Sequence, residues 1–65
     1  MEVRKVQLGR YEYTLSYEWE TDAYWVVCCD LVRTRYVLAH GPFDLEEAHT
    51  FIDVRVQQEE DVKRY

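Results

Sequence analysis

The chain has two glycines, one proline and two cysteines in 65 residues, and no apolar run approaches the ~18–20 residues that a membrane span requires. Each scarcity excludes something. With glycine only at positions 9 and 41, neither a Walker nor a Rossmann phosphate-binding loop can be written into the sequence. Cys28 and Cys29 are adjacent, so on a strand their thiols point to opposite faces, and the C-x-x-C pairs of zinc sites are absent. Neither a disulfide framework nor a metal site is expected, and no cofactor. The first residues hold no charged segment leading into an apolar run, which predicts a cytoplasmic, soluble protein. No repeat, linker or low-complexity stretch divides the chain, so residues 1–65 read as one domain. A chain of this mass buries only about 60% of its unfolded surface, and its core is thin.

Aromatic residues compensate for the small size. There are six Tyr, two Trp and two Phe, each able to bury on the order of 150–250 Å². The run Ala23 to Leu31 (A-Y-W-V-V-C-C-D-L) is apolar on both faces and β-branched at its centre, as a central strand should be. Before it, Tyr11, Tyr13, Leu15, Tyr17 and Trp19 alternate with Glu12, Thr14, Ser16, Glu18 and Glu20, which predicts a strand with one covered face. Glu20-Thr21-Asp22 is the expected turn between the two. Met1 to Leu8 reads as a short strand whose apolar residues slip out of alternation, a slip we assign to a bulge or turn at Gly9.

A further strand is expected from about Thr34 to His40, with Tyr36 and Leu38 opposing Arg35, Val37 and Ala39. The residues before it, Val32 to Arg35, contain neither Gly nor Pro to mark a turn. Gly41-Pro42 should end the sheet. Asp44 then fits an N-cap, with Glu47 completing a capping box and Phe43 packing toward Ala48. A helix follows from Leu45 to about Val62, its apolar stripe formed by Leu45, Ala48, Ile52 and Val56 with Phe51 beside it. Glu59, Glu60 and Asp61 lie at its negative end, where fraying is expected. Alternation over Asp53 to Val56 leaves a fourth strand there as the competing assignment. The predicted fold is α+β: a three- to four-stranded antiparallel sheet with one C-terminal helix on one face, β-β-β-α.

The net charge of −5 is unevenly laid out. Residues 11–32 carry −5 with no Lys or Arg, residues 41–65 carry −4, and the segments 1–10 and 33–40 carry +2 each. Two acidic blocks repel a phosphate backbone, so direct nucleic-acid binding is not expected and a basic protein is a better partner. Sheets that bind RNA interleave their aromatics with Lys and Arg, whereas here the intervening residues are Glu, Thr and Ser. Catalysis finds no support either. Cys28 or Cys29 with His40 or His49 would need a water-excluding cleft and an oxyanion hole, for which a thin sheet-and-helix layer has little room. The expected class is a non-enzymatic protein-binding module, with self-pairing of an edge strand as a further way to associate.

Several runs resemble the HicB antitoxin domain: Tyr13-Thr-Leu-Ser-Tyr17, Asp22-Ala-Tyr24-Trp25-Val26-Val27, Asp30-Leu31, Ala39-His40-Gly41 and Leu45-Glu46-Glu47-Ala48. The resemblance spans roughly residues 11–52. It departs at Cys29, where the family has proline, at Val32-Arg33 in place of a Pro-Gly turn, and at Asp44 in place of a threonine-type cap. What it implies is an antitoxin-like module that masks a small basic RNA-cleaving protein. A second class fits the same charge layout: a phage- or mobile-element-encoded inhibitor of the anti-CRISPR kind, a nucleic-acid mimic acting on a nucleic-acid-binding protein. In either case the expected partner-binding residues are Glu12, Glu18, Glu20, Asp22, Glu46, Glu47 and Asp53.

Overall fold

A computed structural model describes residues 1–63, which form β1 (Glu2–Leu8), β2 (Tyr11–Glu18), β3 (Ala23–Asp30), β4 (Arg35–Phe43) and α1 (Leu45–Lys63). The strands make one antiparallel sheet in the order β1-β2-β3-β4, and α1 packs across one face of it. Alternation in β2 and β3 creates that face: Leu15 and Val26 are register partners and point together toward the helix. Ala48 and Ile52, one turn apart on α1, descend onto them, and all four are fully buried. Val6, Tyr13, Tyr24, Phe43, Phe51 and Val56 close the core at its margins. This is the expected α+β layer, with all four strands present.

The helix starts where its sequence says it should. Glu47 N–H donates to Asp44 Oδ1 at 2.7 Å and Asp44 N–H donates to Glu47 Oε1 at 3.3 Å, the reciprocal pair of a capping box. Phe43 turns inward onto the cluster that holds Ala48, and its ring meets Phe51 at 5.6 Å. Asp44→Ala is expected to lower the unfolding free energy by about 1 kcal/mol, read from the midpoint of a urea titration followed by helix circular dichroism. No helix among the described residues is long and apolar enough to cross a membrane.

Several local expectations are corrected. The slip in β1 coincides with a shift of the pairing register between Glu2 and Arg4. The turn expected at Gly9 is present: at φ +62° Gly9 opens the two-residue loop that joins Leu8 to its partner Tyr11. Strand β2 stops at Glu18, so Trp19 and Glu20 lie in the turn and Trp19 leaves the apolar face. Strand β4 continues through Gly41 and the cis Gly41-Pro42 bond to Phe43, which pairs with Tyr24. It carries irregularities opposite Trp25 and at Val37. The second separates Tyr36 from Leu38: Cys29 pairs with Tyr36 on the uncovered face and Cys28 with Leu38 on the helix side. On α1, Leu45 is exposed and outside the core stripe. The helix runs as expected through Asp53 to Val56 and on to Lys63, so the competing strand at 53–56 is not formed, and Gln57 Nε2 donates to Asp61 Oδ1 at 3.1 Å one turn on.

Candidate functional site

Pairing register decides which of the acids can act together. Glu18 pairs with Ala23, Tyr17 with Tyr24, and Tyr24 with Phe43. The end of β2, the turn after it, the start of β3, the end of β4 and the first turn of α1 therefore share one end of the sheet. The first residue joins them, since the Met1 amino group donates to the Tyr17 carbonyl at 2.9 Å. Both acidic blocks meet here: Glu18, Glu20 and Asp22 from the first, Asp44, Glu46 and Glu47 from the second, with Glu2 beside them on β1. The sequence has no Lys or Arg between Tyr11 and Val32 or between Tyr36 and Val54.

Some of these carboxylates already have partners. Asp22, in a left-handed conformation at φ +51°, accepts the Tyr17 hydroxyl at 2.6 Å. That bond, with partial desolvation, holds the Tyr17 phenol above its ordinary pKa. Asp44 and Glu47 are engaged in the cap. Among the described residues Glu18, Glu20 and Glu46 form no ion pair. Between them the turn holds up Trp19, whose surface is 77% exposed. On the helix side of the same end, Phe43 and Phe51 floor a shallow groove of ≈ 410 Å³ rimmed by Asp44, Glu46 and Glu47.

The two remaining expected residues stand apart. Glu12 lies on the uncovered sheet face, 3.8 Å from Lys5 Nζ, which also pairs with Glu2 at 3.2 Å. Asp53 points to the helix side and pairs with Arg4 at 2.9 Å, and Arg4 also donates to His49 Nδ1 at 3.2 Å. The uncovered face is thus mixed and not a pure carboxylate ladder: Glu12, Thr14 and Ser16 share a groove with Val27, Cys29 and Tyr36. Trp19, Asp44 and Glu2 lie at this end without being among the expected partner-binding residues. The polar run Glu20-Thr21-Asp22 was the available signal for Trp19, because a turn that begins one residue earlier takes it off the strand.

At the opposite end of the sheet Asp30 is 5% exposed and builds the β3–β4 turn. Arg10 Nη2 donates to its Oδ2 at 2.7 Å and Arg10 Nε to its Oδ1 at 3.2 Å. The backbone N–H groups of Val32 and Arg33 donate to the same Oδ1 at 3.0 and 3.3 Å. The Arg10 bond, reinforced by the two amides, holds the Asp30 carboxyl below its ordinary pKa despite burial. A carboxyl with a depressed folded pKa stabilises the fold above its unfolded value of about 4 and ceases to do so as pH falls through the folded value. Thermal melts should show a loss of stability below about pH 4 that Asp30→Asn, less stable at pH 7, largely flattens.

No hydrogen bond joins either cysteine to a histidine among the described residues. His40 stacks on Phe51 at 4.5 Å and Cys28 is buried on the helix side, while Cys29 faces the uncovered groove. Among the described residues no group of three His, Cys, Asp or Glu is placed to hold a metal ion. What the acidic end offers chemically is charge and an aromatic anchor for a surface of opposite sign. No protein-family model, curated protein or solved structure matches the chain.

Proposed function

We propose that the chain is a non-enzymatic module that neutralises a basic or nucleic-acid-binding protein by docking its acidic end, in the manner implied by the HicB antitoxin resemblance. One observation carries this reading. The register brings five of the seven expected acids, Glu18, Glu20, Asp22, Glu46 and Glu47, to the end of the sheet that carries the exposed Trp19, in two stretches of sequence that have no Lys or Arg. Clustered like charges raise the potential over that end and speed encounter with a basic partner. Trp19 supplies the large, rigid anchor around which interface energy concentrates. An inhibitor that imitates nucleic-acid charge would use the same surface, and the two versions part on the partner: a small RNA-cleaving toxin for one, a defence or replication protein for the other.

The test is capture of a partner from host lysate. A partner held at low salt should elute at high salt. Capture should be lost with Glu18, Glu20 and Glu46 changed together to Gln, which weakens binding at least about tenfold, and with Trp19→Ala, which weakens it about thirtyfold. All three carboxylates lie outside the cap and the ion pairs, so circular dichroism should be unchanged. Capture indifferent to salt and to both variants sinks the proposal.

A further inference from the structure

We infer that β4 is a self-association edge, at which two copies of this chain pair antiparallel to form one continuous sheet. The inference does not rest on the partner-neutralising reading, and it starts from a contrast between the two edges. Strand β1 carries Glu2, Arg4 and Lys5, charges of the kind that discourage further pairing. Strand β4 carries no Lys, Asp or Glu, and Arg35 at its start is its only permanently charged residue. In its middle Tyr36, Val37 and Leu38 are 76, 56 and 55% exposed, and Val32 in the preceding turn is 70% exposed. Three consecutive apolar side chains on an open edge form a template for another strand.

Charge along the strand selects both the occupant and the orientation. Arg33 and Arg35 make the beginning of β4 basic, while Asp44, Glu46 and Glu47 make the chain just past its end acidic. A strand positive at one end and negative at the other is complementary to its own antiparallel copy and repelled by a parallel one. Pro42 has no N–H to donate, which confines the new ladder to the residues before it. A two-fold axis across the strand then brings Arg33 and Arg35 of each copy toward the other's Asp44 and Glu46. Such an isologous contact closes at two copies, whereas joining β4 to the copy's β1 would grow filaments.

Sedimentation equilibrium of the full chain over a range of concentration and salt tests this. The wild type should be a dimer that weakens as salt rises. Leu38→Lys places a charge of the same sign on the open edge of each copy and should raise the dissociation constant at least about tenfold with an unchanged circular dichroism spectrum. The double variant R33E/R35E, whose changes are confined to the turn and the strand's first residue, should do the same at low salt. A monomer at every concentration overturns the inference. So does open-ended growth, a dimer with wild-type affinity in Leu38→Lys, or a dimer insensitive both to salt and to R33E/R35E.

Discussion

Replacing Leu15 with alanine is expected to lower the unfolding free energy by about 3–5 kcal/mol, enough to leave a large fraction of the chain unfolded without denaturant. Leu15 has no exposed surface and lies in one cluster with Val26, Ala48 and Ile52. The cost has two parts: the lost transfer of the deleted methyl groups, and a cavity that the layer cannot collapse to fill. A larger protein could absorb this, but native stability scales at roughly 0.05–0.15 kcal/mol per residue, or about 3–10 kcal/mol here. Ile52→Ala, which removes the facing side chain, should cost a similar amount. The two should not add fully, because they empty a shared space. Urea denaturation of both single variants and the double variant measures this.

Gly41→Ala has the second largest expected effect, on the order of 2–4 kcal/mol, at a position that is not in the core. At φ +150° the backbone of Gly41 adopts a conformation that L side chains rarely enter. A methyl group there would also lie 2.8 Å from Trp25 Cε3 and 3.0 Å from the Tyr24 carbonyl oxygen. The indole could swing aside, but the carbonyl belongs to β3 and cannot. The close approach exists because β4 runs on past Gly41 to pair Phe43 with Tyr24, laying the glycine against Trp25. Near-ultraviolet circular dichroism should report the displaced tryptophan, and thermal melts the lost stability. Wild-type values in both would mean that β4 ends before Gly41, as the Gly-Pro pair alone suggested.

That pair illustrates where the sequence is legible and where it is not. Periodicity identified β2, the central placement of β3, and the helix with its Asp44 cap, because each rests on local chemistry: alternation, β-branching, and a carboxylate meeting open amides. The places it misread depend on distant partners. Gly41-Pro42 reads as a stop by propensity, yet β3 offers Tyr24 as a partner for Phe43 and the strand continues. The β3–β4 turn carries no Gly or Pro, and Thr34 takes a left-handed φ of +56°, unusual for a β-branched residue. What holds that turn is Asp30, anchored by Arg10 from twenty positions earlier. No window along the chain contains both.

The acids followed the same division. Their presence in two blocks was legible. Which of them converge was not, since that depends on the β2–β3–β4 register. Glu12 and Asp53 look equivalent to Glu18 and Glu46 in the sequence, but one lies beside Lys5 and the other is paired with Arg4. Trp19 looked like the last core residue of β2 and is instead the most exposed aromatic of the acidic end.

The most direct test of the acidic end as the docking surface is a chemical-shift map of the nitrogen-labelled chain titrated with its captured partner. The largest changes should fall on the amides of residues 17–23 and 43–48 and on the Trp19 indole, with Glu12, Asp53 and the β3–β4 turn little affected. Changes centred on residues 31–38, or on the uncovered face around Thr14, Val27 and Cys29, with the Trp19 indole unmoved, would contradict it.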